Sequence, residues 1–219
     1  MIIFKSHEAL SIIKRYLPKK PIVVEAGAFN GNDTQQMAQL WPHGIIHAFE
    51  PVPQLFTTLQ KNTSHYDHVH CYSYALSNQN GNARFHVSEK PTKPGIPSQA
   101  GSLRAPKERL NYSSMQFPYT ISVPTITLDS WAQQHQVNPV DLLWMDVQGH
   151  ELALLQAGQQ LLQTVSVIFT EVGFFENYVG QPGYIDIKNW LERQGFSLIG
   201  RDFANMQQLF FGNLLFVRK

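Results

Sequence analysis

Two rhythms of apolar and polar residues alternate along this chain of 219 residues. Short apolar runs bounded by Gly, Pro, Asn and Asp read as buried strands, and apolar positions three and four apart read as helices. Residues 1–17 place Ala9, Leu10, Ile12, Ile13, Tyr16 and Leu17 near one face, among Lys5, His7, Glu8, Lys14 and Arg15. That predicts an N-terminal amphipathic helix within residues 1–20, capped by Ser6 and ended by Pro18 and Pro21. A strand at 22–25, a helix over about 33–40 and a strand at 45–51 follow. A helix over 52–62 and a strand over 69–76 complete a βαβαβ series with short connections. Such a series implies parallel strands and right-handed crossovers.

The pattern then changes. Asn78-Gln79-Asn80-Gly81-Asn82 is a turn signal, and the alternating Ala83-Arg84-Phe85-His86-Val87 after it predicts an inserted β-hairpin. Residues 89–118 hold five of the thirteen prolines and predict a lid-like loop or a disordered insertion. Regular order resumes with a strand at 121–128, a helix from Asp129 to His135, a strand at 141–146, a helix over 151–162 and a strand at 165–172. A helix over 185–194 and a closing antiparallel pair at 196–201 and 212–218 end the chain. With no internal repeat, low-complexity tract or linker, residues 1–219 are expected to form a single domain.

Composition narrows the class. Apolar residues make up 43% and charged residues 15% of the chain, which suits a folded α/β globule. A net charge of +1 offers no electrostatic footprint for nucleic acid or for an acidic membrane. No apolar run approaches the roughly 20 residues of a membrane helix, and the charges within residues 1–17 break up the apolar centre a signal peptide needs. A soluble cytoplasmic protein is the default expectation, and the sequence sets no oligomeric state. The single Cys71 excludes a disulfide framework or a cysteine-cluster metal site.

The candidate chemistry centres on Ile22-Val23-Val24-Glu25-Ala26-Gly27-Ala28-Phe29-Asn30-Gly31-Asn32-Asp33-Thr34. A buried strand, a tight glycine turn and a helix N-terminus form a nucleotide-cofactor pocket. The middle glycine of a dinucleotide fingerprint is missing, and Glu25 ahead of the turn would repel a pyrophosphate. This argues against a Rossmann oxidoreductase. Glu50, 23 residues after Gly27, ends the second strand, where an acid can take both ribose hydroxyls. A ribose-bearing ligand with positive charge and no phosphate describes S-adenosylmethionine. Its carboxylate would lie at Asn30 to Thr34, at the helix N-terminus.

With these residues in view, the chain resembles the FkbM-type family of S-adenosylmethionine-dependent methyltransferases. The resemblance is carried by Glu25-Ala26-Gly27-Ala28-Phe29-Asn30-Gly31, Phe49-Glu50-Pro51, Tyr74-Ala75-Leu76-Ser77-Asn78 with Gly81, Thr127-Leu128-Asp129 and Met145-Asp146-Val147-Gln148-Gly149-His150-Glu151. It implies the class I methyltransferase (Rossmann-like) fold, a seven-stranded mostly parallel sheet with an antiparallel last strand and helices on both faces. It also implies methyl transfer to an oxygen of a sugar or other small-molecule acceptor. The implied cofactor set is Glu25, Gly27, Ala28, Asn30, Gly31, Asp33, Thr34, Glu50, Pro51, Ala75, Leu76, Ser77, Asp146 and Val147, with Ala75 to Ser77 near the adenine. The chain departs from the family pattern at Phe29, at Trp144-Met145, where a lysine is common, and at Gln148, where an acid is common. These departures keep open a non-catalytic cofactor-binding protein with a degenerate methyltransferase fold.

An alcohol acceptor needs its proton removed, and strand C-terminal ends are where suitable groups converge. His150, Asp146 and Glu171 are the catalytic candidates. His150 is the expected base, its alternative being a cap on the helix that follows. Asp146 and Glu171 offer a second route, as oxygen ligands of a Mg²⁺ that acidifies sugar hydroxyls. Glu176 and Tyr178 are expected near the acceptor, and Ser102, Arg104, Lys107 and Arg109 are placed to reach an anionic acceptor. Trp131, Trp144 and Trp190 are assigned to packing.

Overall fold

Strict alternation along the central strands builds two cores on one sheet. The computed structural model describes residues 1–205 and 209–219. Strands β1 (Ile2–Ile3), β2 (Ile22–Ala26), β3 (Ile45–Phe49) and β4 (Val69–Tyr72) belong to the main sheet, with helices α1 (Ala9–Ile13), α2 (Asn32–Leu40) and α3 (Pro53–Thr63) among them. The chain then makes β5 (Ala75–Leu76), β6 (Gly81–Lys90), β7 (Lys93–Ser102), α4 (Arg109–Tyr112) and β8 (Gln116–Ile126). It returns through α5 (Leu128–His135), β9 (Leu142–Met145), α6 (Glu151–Gln156), α7 (Gln159–Leu162), β10 (Val167–Gly173), α8 (Tyr184–Arg193), β11 (Phe196–Arg201) and β12 (Phe211–Arg218).

The main sheet has the order β1-β11-β12-β10-β9-β2-β3-β4. Strands β2, β3, β4, β9 and β10 run parallel, and β12 lies antiparallel between β10 and β11. The expected count of seven is corrected to eight, because Ile2–Ile3 adds a short parallel strand at the β11 edge. On one face Val24, Ala26, Leu143, Met145 and Ile168 meet Trp131, Leu154 and Leu191 from α5, α6 and α8. On the other, Val23, Ile46, Leu142, Trp144 and Phe169 meet Ile13 of α1 and Met37 and Trp41 of α2. Odd and even positions of each strand thus serve opposite layers, which is why these strands read as nearly continuous apolar runs.

Four other expectations need correction. The N-terminal helix is short: residues 9–13 are α-helical between 3-10 turns at Ser6–Glu8 and Lys14–Tyr16. The strand at 69–76 is two strands in two sheets, β4 and β5. Residues 89–118 are not disordered: they hold β7, α4 and the start of β8, in a second sheet of order β5-β8-β6-β7. Pro94 and Pro97 fit there because β7 is the outer strand, where a missing N–H breaks no ladder. The helix at 151–162 breaks into α6 and α7 at Gly158, where a Cβ would lie 2.7 Å from Leu128 of α5.

The second sheet roofs the carboxyl ends of β2, β3 and β9. Phe85 and Val87 of β6 and Val123 of β8 share a small core with Val52 and Leu55 at the start of α3. Among the described residues no helix is long and apolar enough to cross a membrane.

Candidate active site

The turn after β2 is built by backbone pressed on backbone. Gly27 has φ 88°, and a Cβ there would lie 2.0 Å from the carbonyl oxygen of Asp146. Only glycine lets β2 end so close to β9. The N–H groups of Gly27 and Ala28 donate to the Phe49 carbonyl (3.1 and 2.8 Å), tying the turn to β3.

Glu50, just beyond β3, sits under this turn with 5% of its surface exposed. Its Oε2 accepts from the Phe29 N–H (3.0 Å) and its Oε1 from the Val52 N–H (2.8 Å). Burial pushes its carboxyl up to about 8, against the pull of those two N–H groups. Each oxygen keeps a lone pair for a further donor.

Two clefts meet at Asp146. The first, of about 670 Å³ counted to its open mouth, is mainly apolar and lies between the main sheet and the roof. Of the expected residues it is lined by Gly27, Glu50, Pro51, Ala75, Leu76, Asp146, Val147 and His150. Sequence reasoning missed Phe29, Phe49, Val52 and Tyr74, and also the roof side chains Phe85, Val87, Gln99 and Leu103. The alternation at 83–87 was the available signal for Phe85 and Val87. The second cleft is polar and lies toward α1 and α2, lined by Ser6, His7, Asp33, Gln36, Trp144, Asp146, Glu171 and Asn213 among others.

The other expected cofactor residues line neither cleft. Glu25 is 1% exposed, and its Oε2 accepts from Thr34 Oγ1 (2.5 Å), a bond that joins β2 to α2. Burial pushes it up to about 8. Gly31 caps α2 against Leu59 of α3, Ala28 packs with Ala48 and Leu59, and Asn30 accepts from Asn62 Nδ2 through its carbonyl (2.8 Å). These residues shape the turn.

His150 precedes α6 and is 9% exposed. Its Nε2 lies 3.0 Å from Ser77 Oγ, which donates to Asn78 Oδ1 (3.2 Å). Its Nδ1 is buried without a hydrogen-bond partner among the described residues. Burial, then Arg104, lowers its pKa to about 4, so it is neutral at pH 7. It lines the apolar cleft beside Tyr74 to Leu76, and it does not line the polar cleft that Asp146 and Glu171 share.

Asp146 directly follows β9, and Glu171 lies near the carboxyl end of the neighbouring parallel strand β10. Gln148 Nε2 donates to Asp146 Oδ1 (2.6 Å) and to Glu171 Oε2 (3.1 Å). The outer oxygens, Asp146 Oδ2 and Glu171 Oε1, have no hydrogen-bond partner among the described residues. Burial raises both carboxyls, and Asp146 adds to the rise at Glu171. A carboxyl whose pKa is raised by burial is a better proton acceptor than a free carboxylate. No group of three or more His, Cys, Asp or Glu is placed to hold a metal ion among the described residues.

The expected anion contacts are corrected. Arg109 Nη1 donates to Gln148 Oε1 (3.0 Å), Ser102 Oγ donates to the Gln148 carbonyl (2.7 Å), and Arg104 Nη1 donates to the carbonyls of Val179 and Gly180. Lys107 pairs with Glu176, and Tyr178 is buried. Ser102, Arg109 and Tyr178 are engaged inside the protein, Arg104 is tied to backbone carbonyls, and the Lys107–Glu176 pair lies at the surface.

A model of the methyltransferase FkbM domain matches residues 25–198. The chain is 33% identical over 162 residues to the 2-O-methyltransferase NoeI of Sinorhizobium fredii (strain NBRC 101917 / NGR234), covering 74% of this chain and 67% of that protein. Among solved structures, an rRNA methylase from Streptococcus thermophilus superposes with a TM-score of 0.58 at 13% identity, covering 100% of this chain and 98% of that one. The magnesium protoporphyrin IX methyltransferase (ChlM) of Synechocystis PCC 6803 with bound S-adenosylmethionine does so with a TM-score of 0.55 at 14% identity, covering 98% and 77%. At these identities the two structures show the fold alone.

Proposed function

The chain belongs to the FkbM methyltransferase family and is an S-adenosylmethionine-dependent O-methyltransferase, and we propose that its acceptor is a small hydroxyl-bearing molecule, a sugar foremost, whose proton passes to the Asp146–Glu171 pair. The observation that carries this reading is the meeting of two clefts at Asp146. One has the apolar walls and buried acid of an adenosine site, and the other presents the free oxygens of two carboxyls.

The residues present fit the cofactor. Glu50 stands ready for two ribose hydroxyls, Phe49, Tyr74 and Leu76 offer apolar walls to an adenine, and Gly27 leaves the backbone open where a Cβ would close it. When bound, S-adenosylmethionine supplies a methyl group on a sulfonium, open to in-line attack. The roof of Phe85, Val87 and Leu103 keeps water from that line. Asp146, where the two clefts meet, would stabilise the positive charge of the bound cofactor. The outer oxygens of Asp146 and Glu171 take the proton of the attacking hydroxyl, so turnover rises with pH as the pair ionises. His150, the base expected from sequence, is assigned instead to the adenine end, where it lines the apolar cleft beside Tyr74 to Leu76.

Among the described residues the polar cleft is lined by Asp33, Asp146 and Glu171 and by no Lys or Arg, which favours a neutral or amine-bearing acceptor over an anionic one. The relative's name, a 2-O-methyltransferase, suggests a hydroxyl flanked by another ring substituent. A net charge of +1 supports a small acceptor over nucleic acid and a cytoplasmic setting free of membrane.

The test is transfer of labelled methyl from S-adenosylmethionine to neutral, amine-bearing and anionic sugars, with mass spectrometry to place the methyl on oxygen. Calorimetry with S-adenosylhomocysteine and NAD accompanies it. Neutral or amino sugars are expected to be labelled. Preference for the anionic set, or NAD binding without S-adenosylhomocysteine binding, overturns the reading.

A further inference from the structure

Gln148 is the most highly connected side chain at the site and touches neither cleft's expected ligand. It is 5% exposed and has φ 51°, a left-handed conformation. Its neighbours hold its backbone there: Glu151 Oε1 accepts from the N–H groups of Val147 and Gly149 (3.2 Å each), and Ser102 Oγ binds its carbonyl.

The side-chain amide faces two environments. Its oxygen meets Arg109 Nη1 (3.0 Å) and lies 2.8 Å from the Tyr178 hydroxyl. Its nitrogen meets one oxygen of Asp146 and one of Glu171. Arg109 has only donors, so the amide oxygen faces it and the amide nitrogen faces the two carboxyls. A flipped amide would aim its oxygen at two carboxyls and its N–H groups at a guanidinium. Arg109 is itself fixed, 8% exposed, with its guanidinium carbon 5.6 Å from the centre of the Tyr178 ring.

We propose that Gln148 is the positioning residue of the carboxyl pair: by giving one N–H to each of Asp146 and Glu171, it turns their outer oxygens to the polar cleft and holds the pair ready to take the acceptor's proton. The amide is the side chain that satisfies both sides. A glutamate keeps acceptors for Arg109 and Tyr178 but sets a third carboxyl against two others. A methionine fills the space and donates to neither. Burial raises both carboxyls, and at Asp146 the Gln148 N–H is the leading opposing influence. The other charged or titratable groups facing the pair are Glu25 from β2, Asp33 from α2, Arg109 and Tyr112 from α4, Glu151 from α6, Tyr178, Asp202 and the cleft-lining His7. None of them lies between the two carboxyls as Gln148 does.

This inference rests on the reading of Asp146 and Glu171 as the proton-accepting pair, and its test needs no acceptor. Calorimetry of S-adenosylmethionine binding in buffers of different ionisation heat counts the protons released on binding. For Gln148→Met, more protons are released at pH 7 than in wild type, and the pH midpoint of affinity rises by about one unit. Gln148→Glu moves the midpoint the same way and further. Adding Asp146→Asn to Gln148→Met removes the difference. If both Gln148 variants match wild type in proton count and midpoint while Asp146→Asn changes them, the role of Gln148 is overturned and the carboxyl pair stands. If Asp146→Asn and Glu171→Gln each match wild type, the reading of the pair itself fails. Thermal melts check folding, and Gln148→Glu carries the test should the methionine variant not fold.

Discussion

Glu50 joins two tasks in one carboxylate. Its oxygens fasten the N–H groups of Phe29 and Val52, so it orders the loops on both sides of the apolar cleft, and the same oxygens face the cleft. Glu50→Ala should therefore weaken S-adenosylhomocysteine binding by about 1–3 kcal/mol, roughly 5- to 150-fold, through the lost charged hydrogen bonds. Calorimetric titration reads this directly, and unchanged affinity would remove Glu50 from the ribose. Gly27 and Glu50 were legible in sequence as a glycine turn and a strand-end acid, local patterns that need no knowledge of the distant Asp146 and Phe29 contacts that hold them. His150 was not. Its partner Ser77 lies 73 positions away, and that contact holds the ring in the apolar cleft. Gln148 was visible only as a departure from a motif. Its partners come from β9, β10, α4 and the loop at Tyr178, and no local pattern joins those.

Elements were legible in proportion to how locally they are determined. The parallel strands and their helices follow from alternation and caps, and the antiparallel closing pair of β11 and β12 stands as expected from sequence. The roof was missed because prolines in residues 89–118 mimic a disordered stretch, whereas long-range pairing of β6 with β7 and β8 makes it a sheet. Asp129, expected to open a helix, instead accepts from the N–H groups of Gln160 and Leu161 at α7, and Thr127 caps α5. The junction of β2 and β9 carries the strictest demand of any pair of elements. Gly27→Ala would require both a left-handed alanine and a Cβ inside the Asp146 carbonyl. The strands must part to admit it, which should cost about 3 kcal/mol or more of stability. A urea melt measures the loss, and a variant as stable as wild type would show that β2 and β9 can separate freely.

The whole molecule carries an unusual set of buried ionisable groups, and their balance sets how stability depends on pH. Glu25 and Glu50 are raised to about 8 and Glu151 to about 7 from an unfolded value of 4.5. A raised carboxyl contributes stability that is complete below its unfolded pKa and is lost as pH climbs through its folded pKa. His47 and His150 are lowered to about 4 from 6.5, so their contribution is present above 6.5 and is lost as pH falls toward 4. Between pH 4.5 and 6.5 the three carboxyls lose more than the two histidines gain, so the cofactor-free protein should be most stable near pH 4.5, and its melting temperature should fall as pH rises from there to about 8. Each kcal/mol lost lowers the melting temperature by about 2–4 °C in a chain of this size. Saturating S-adenosylmethionine, a cation beside the carboxyls, should flatten the alkaline fall. Glu25→Gln tests the cause, since the amide oxygen still accepts from Thr34 Oγ1 and no charge has to be buried. Scanning calorimetry should find this variant close to wild type at about pH 4.5 and increasingly more stable than wild type as pH rises to about 8. An alkaline fall as steep as that of wild type would locate the linkage in groups other than Glu25.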